Sequence, residues 1–195
     1  MNDLNQTLFL LINAPAHPAH FMIELAIFCA KYLILLFPLI MVIGWVKGSE
    51  NTKKLFFMAG MSAVLGLIVN VIFGLVWYHP RPFAIHLGTN FLPHAPDSSF
   101  PSDHLTFIWA VAISLSLSRS TRPLGLLLVL LGLPVAWARI YLGVHYPFDM
   151  LGAFIVALAA AILCKEKAAL IVEPLFRRAM TIYQRVLSLV CPKAK

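Results

Sequence analysis

Four predominantly apolar stretches, residues 25–46, 55–77, 123–140 and 147–164, are each long enough to cross a bilayer as one helix, and nothing else constrains this chain's fold so strongly. Roughly 18 to 25 residues at ~1.5 Å each match the ~30 Å of a hydrocarbon core. A shorter apolar segment, 104–118, lies between Pro101 and Arg119 and adds a fifth span. The composition agrees: 61% of the residues are hydrophobic and only 12% charged, and the mean hydropathy is +0.86, far from soluble norms. The expected fold is all-α, a polytopic membrane helical bundle of about five transmembrane helices that forms a single domain over 1–195.

Both ends add surface helices. Leu4, Leu8, Leu11 and Ile12 recur at helical spacing before Pro15 but are too few to cross, which predicts an interfacial helix. The amphipathic C-terminal segment, about 168–190, carries Arg177, Arg178 and Arg185, costly groups in hydrocarbon. It is expected to lie along anionic headgroups. Between spans two and three lies a long loop, 78–103, rich in proline and histidine; loops of this length are usually functional.

The net charge of +7 follows membrane topology, not nucleic-acid binding. Lys47, Lys53, Lys54, Arg119, Arg122, Lys165, Lys167, Arg177, Arg178, Arg185, Lys193 and Lys195 fall on one side of a five-span chain. The positive-inside rule makes that side, and the C-terminus, cytoplasmic. All seven histidines fall on the opposite side, so the functional face is expected to look outward from a bacterial inner membrane. The first twenty residues lack the basic leader and apolar core of a removable signal peptide. Cys29, Cys164 and Cys191 are too few and too scattered for a disulfide framework or a zinc site, and read as free thiols.

Three polar clusters carry the chemistry: Tyr78-His79-Pro80-Arg81-Pro82, Pro101-Ser102-Asp103-His104, and Arg139 followed by His145 and Asp149. Ser102 stands where an N-cap is expected, and the helical turn after it offers free N–H groups and a positive dipole end to an anion. His104 lies in that turn. A capped helix with an interfacial histidine would look the same. Pro147 suits the first position of the last helix, which puts Asp149 in its opening turn and His145 just ahead. A carboxylate so placed fixes the imidazole tautomer and leaves the other nitrogen to act as nucleophile or base. The bland alternative is a helix-capping Asp149 beside a rim histidine. Arg139 can clamp phosphate oxygens, and Arg81, flanked by prolines, is a guanidinium on stiff backbone, though a headgroup anchor would also fit.

In this order, the clusters resemble the type 2 phosphatidic acid phosphatase superfamily, whose pattern is Lys-x6-Arg-Pro, Pro-Ser-Gly-His and Ser-Arg-x5-His-x3-Asp. The resemblance covers about residues 74 to 149. It implies that His145 is a nucleophile forming a phosphohistidine, that Asp149 orients it, and that His104 protonates the leaving oxygen. It further implies phosphate binding by Arg81, Ser102 and Arg139, with no cofactor and no metal. The chain departs from the pattern in having Gly74 for the lysine, Asp103 for the glycine and Ala138 for the serine. Pro-Ser-Asp-His, with Tyr141-Leu142-Gly143-Val144-His145, is similar to the bacterial undecaprenyl pyrophosphate phosphatase branch. That resemblance implies a polyprenyl diphosphate substrate, recycled for cell-wall synthesis.

A diphosphate carries more charge than two arginines neutralise, which makes Lys31, an ionisable group within the first span, a candidate replacement for the missing lysine. A Glu24–Lys31 ion pair is the competing explanation. Asp103 is counted with the phosphate-binding group, as a candidate to tune His104, or is a simple N-terminal acid favouring the helix dipole. His17, His20, His86 and His94 read as solvated loop histidines, while His79, two residues from Arg81, is a candidate for an indirect contact with the site. The rival functions are a phosphatase or phosphotransferase on phosphatidylglycerophosphate, phosphatidic acid or lipid A, and a carrier that binds lipid diphosphates without hydrolysing them.

Overall fold

A computed structural model describes residues 2–190. Cys191, Lys193 and Lys195 lie outside the described residues. The chain is all-helical, and four helical segments are long and apolar enough to cross a membrane: His20–Lys47, Glu50–Val76, Arg122–Tyr141 and Pro147–Glu166. The elements are α1 (Asn2–Ile12), α2 (His20–Lys31), α3 (Leu36–Lys47), α4 (Glu50–Val76), α5 (Asp103–Ser116), α6 (Arg122–Tyr141), α7 (Pro147–Glu166) and α8 (Glu173–Val190).

Two spans start earlier than hydropathy placed them. The first begins at His20, not near residue 25, and is broken: a 3-10 turn, Leu33–Leu35, separates α2 from α3. Pro38 accounts for the break, because it has no N–H for the Ile34 carbonyl and is tolerated only in the first turn of a new helix. The second begins at Glu50, where Ser49 caps the helix by accepting the Thr52 N–H at 3.3 Å. A polar cap and first turn before the apolar run are invisible to a hydropathy window.

The fifth apolar segment, α5, has 14 residues. At ~1.5 Å per residue it spans about 21 Å, short of a hydrocarbon core. It is also the most buried helix, with Leu105, Ile108, Ala110, Val111, Ala112 and Leu115 wholly inaccessible. Helices α4, α6 and α7 pack around it, and the outer faces of α4, α6 and α7 present Ile68, Ile72, Leu130, Leu133 and Ile155 outward, as lipid-facing surfaces do.

Basic groups that the span count places on one side are anchored at one end of the bundle. The Lys165 ammonium donates to the Leu117 carbonyl, Lys54 pairs with Glu173, and the Lys53 ammonium stands 5.0 Å from the Tyr183 ring centre. Trp45 packs against Phe176 and Tyr183, docking α8 against the bundle. Cys29 and Cys164 are buried free thiols.

At the other end, α1 is not merely adsorbed on the surface. Phe9 is fully buried and meets Tyr146 edge-on at 5.5 Å, the Asn5 side chain accepts the Phe148 N–H at 3.0 Å, and the Asn13 side chain bridges Thr89 and Tyr141. With the Ala14 N–H, which donates to the Tyr141 carbonyl at 2.9 Å, and the Ala14 carbonyl, which accepts the Thr89 hydroxyl, Asn13 pins the loop after α4 against the end of α6. Gly143 completes the connection to α7. Its φ of +85° suits glycine, and a Cβ there would lie 1.9 Å from the Thr89 carbonyl oxygen.

Candidate active site

Four backbone segments converge at this end: the loop 77–102, the N-terminus of α5, the C-terminus of α6 and the N-terminus of α7. Arg139 lies in the last turn of α6, and the turn through Gly143 reverses the chain so that His145 faces it. Pro147 opens α7 and puts Asp149 in its first turn, where the carboxylate accepts the Tyr146 N–H at 2.8 Å. His145 and Asp149 are each 1% exposed, Arg139 3% and Arg81 4%. Four ionisable groups this deeply buried persist only because each partners another.

Hydrogen bonding fixes the His145 tautomer. Its Nε2 lies 3.0 Å from Arg81 Nη1 and 3.3 Å from Arg139 Nη2, both obligate donors, so Nε2 carries the lone pair. Its Nδ1 therefore bears the proton, which it donates to Asp149 Oδ2 at 3.1 Å. Burial first, then the charges of Arg139 and Arg81, hold the His145 pKa well below the ordinary histidine range. At neutral pH the ring is uncharged, with its lone pair directed between two guanidiniums.

Arg81 is anchored on every side. Nη1 also donates to the Val144 carbonyl at 2.9 Å, Nη2 to the Ser98 carbonyl at 3.3 Å, and Nε to Asp97 Oδ1 at 2.7 Å. Arg139 is freer, with a buried Nε that has no partner among the described residues. Ser102 occupies the N-cap of α5, yet its buried hydroxyl makes no capping bond and has no partner among the described residues. These spare donors, with the free N–H groups of the first turn of α5, are what an anion requires.

Loop residues that sequence reasoning passed over complete the site. Ser99, fully buried, donates its hydroxyl to Asp149 Oδ2, the oxygen that already accepts from His145 and Tyr146. His94 is not a solvated loop histidine: its ring centre stands 6.3 Å from that of His145, with 21% of its side chain exposed. The only sequence signal was the density of polar residues in a long loop. His79 acts through its backbone, its carbonyl accepting the Ser99 N–H at 2.7 Å and its N–H reaching Ser98 Oγ at 3.2 Å.

Lys31 and Asp103 are not brought into this cluster. Lys31 ends α2, exposed, with no hydrogen bond or ion pair among the described residues, and Glu24 pairs instead with His20, at 3.4 Å. Asp103 points toward α4, where it accepts the Asn70 amide at 2.8 Å, and makes no hydrogen bond to His104. Successive residues of a helix diverge by about 100°, so neighbours in sequence need not meet. His104 is half-buried and within electrostatic reach of Arg139, Arg81 and His94.

Ser99→Ala removes one of three donors on the Asp149 oxygen. A hydrogen bond to a charged group is worth about 1.5–3 kcal/mol, so turnover is expected to fall ~10- to 10²-fold with KM little changed. Steady-state kinetics of Ser99→Ala and Ser99→Thr check this, the threonine retaining most of the rate.

Paired guanidiniums around an uncharged imidazole, at one end of a helical membrane bundle, are equipped for phosphoryl transfer, and the chain is an integral membrane phosphatase. It belongs to the PAP2 superfamily, whose family model matches residues 54–169. It is 33% identical over 190 residues to the undecaprenyl-diphosphatase BcrC of Bacillus subtilis (strain 168), covering 97% of each chain. It is 43% identical over 155 residues to YbjG of Escherichia coli (strain K12), covering 80% of this chain and 78% of that one. Among solved structures it resembles Aquifex aeolicus LpxE, with a TM-score of 0.65 and 26% identity over 84% of this chain and 95% of that one.

Proposed function

We propose that the protein hydrolyses undecaprenyl diphosphate to undecaprenyl phosphate and inorganic phosphate, recycling a carrier lipid for cell-wall synthesis. The observation that carries the chemistry is the His145 lone pair held between Arg81 and Arg139 while Asp149 secures the opposite nitrogen. The substrate is supported by the similarity to BcrC across nearly the whole chain.

In this mechanism Arg81, Arg139, the Ser102 hydroxyl and the N-terminus of α5 bind the terminal phosphate. Nε2 of His145 attacks its phosphorus, and the bond to the bridging oxygen breaks. His104, in the first turn of α5, donates a proton to the departing lipid phosphate. Water then attacks the phosphohistidine, His104 recovers a proton from it, and inorganic phosphate leaves with His145 restored. Asp149 stabilises the positive ring in between. The arginines supply the charge stabilisation, and no cofactor takes part. Asp103 serves as an anchor to Asn70 on α4, not as a phosphate ligand.

An apolar cavity of about 360 Å³, lined by Ile34, Leu35, Pro38, Leu67 and Phe107, opens beside His104 and Asp103. It offers an isoprenoid chain a path from the bilayer to the site. The basic groups at the far end of the bundle support a cytoplasmic C-terminus and a site on the outer face of the bacterial inner membrane.

Phosphate release from undecaprenyl diphosphate, phosphatidic acid, phosphatidylglycerophosphate and lipid A, with and without chelator, tests this. The diphosphate is expected to give the highest kcat/KM, unchanged by chelator. A preferred monophosphate would replace the substrate, and binding without phosphate release would favour a carrier.

A further inference from the structure

We infer that His94 binds the second phosphate of a lipid diphosphate, and so sets the preference for diphosphates over monophosphates. This rests on the proposed diphosphate substrate and extends it to a residue outside the three sequence clusters.

The loop 77–102 folds back over the site and holds His94 above His145, the ring centres 6.3 Å apart and the planes inclined at 75°. Its orientation is set from one side: Nδ1 donates to the Ala95 carbonyl at 3.1 Å and lies 3.7 Å from the Asp97 carboxylate. With Nδ1 so engaged, Nε2 is the edge available to a ligand, and it makes no hydrogen bond among the described residues. Asp97 also accepts a hydrogen bond from Arg81 Nε at 2.7 Å, so one carboxylate bonds the guanidinium that faces His145 and lies near the imidazole beside it.

Charge supplies the second argument. The terminal phosphate uses Arg81 and Arg139, and the phosphate behind it carries at least one further negative charge. Gly74 offers no side chain, and Lys31 is unengaged at the end of α2. His94 is the remaining cation-capable side chain within electrostatic reach of His145, His104 and both arginines. Burial and the two arginines disfavour its protonation while Asp97 favours it. A bound diphosphate adds negative charge and brings a proton onto Nε2, turning the imidazole into a charged donor on the edge that no described residue engages. A monophosphate ester places no charge there and gains nothing from His94.

The test compares kcat/KM for farnesyl diphosphate and farnesyl monophosphate in detergent, for wild type, His94→Ala and His94→Gln, with thermal melting as a control for folding. His94→Ala is expected to lose at least 10-fold more kcat/KM on the diphosphate than on the monophosphate. His94→Gln, a neutral donor, is expected to recover part of the diphosphate rate. Equal losses on both substrates, or no loss on either, overturn the assignment. A wild type that does not prefer the diphosphate instead overturns the substrate proposal on which the assignment depends.

Discussion

Replacing His145 with alanine is expected to reduce phosphate release at least ~10⁴-fold, roughly 5 kcal/mol of transition-state stabilisation. The size follows from the site's construction. In the proposed mechanism Nε2 presents its lone pair to the phosphorus, and both guanidiniums and the Asp149 carboxylate are organised around that ring. Without it, water must attack directly in a site whose charges are arranged for a different nucleophile. The covalent step gives a second readout. Brief incubation with substrate labelled in its terminal phosphate should leave an acid-labile, alkali-stable label on the wild-type chain and none on His145→Ala. Label retained by the variant would exclude His145 as the nucleophile.

Arg81 carries the second large effect, and its comparison with Arg139 is the informative part. Arg81 binds two backbone carbonyls, Val144 and Ser98, as well as His145 and Asp97. Among the described residues Arg139 bonds only to His145. Arg81→Ala is therefore expected to lose ~10³-fold in kcat/KM and also to lower the melting temperature, because two carbonyls lose their partner and the Ser98–Ser99 segment loosens. The ion pair with Asp97 adds little of this, since that carboxylate is 60% exposed. Arg81→Lys keeps the charge but not the fork of donors, and is expected to lose ~10²-fold. Arg139→Lys should lose a similar factor in kcat/KM with its melting temperature nearly unchanged. Parallel kinetics and melts check the contrast, and equal destabilisation by Arg81→Ala and Arg139→Ala would refute it.

Such effects arise at one end of a bundle whose individual parts were unequally readable. The helices α6 and α7 lie within two residues of their apolar runs, because length and hydropathy are local properties that a bilayer converts directly into structure. Pro147 and Asp149 announced the start of α7 in the same local way. The break at Leu33–Leu35 was signalled only by Pro38, which a hydropathy average conceals.

Loop 77–102 shows the limit. It has no periodicity, and His94 reads like His86 in sequence, yet one stands over His145 while the other is exposed. Ser99 reaches Asp149, 50 positions further along the chain, and no spacing rule anticipates a bond of that kind.

By itself the sequence determined a membrane-spanning helical bundle and the residue types able to hold and cleave a phosphate, since burial of apolar length and the chemistry of imidazole, guanidinium and carboxylate are intrinsic to those residues. Only the tertiary structure decided which of several histidines, aspartates and cations meet. That choice depends on how α1, the long loop and the ends of α5, α6 and α7 close on one another. It left Lys31 and Asp103 outside the cluster and brought Ser99, Asp97 and His94 in.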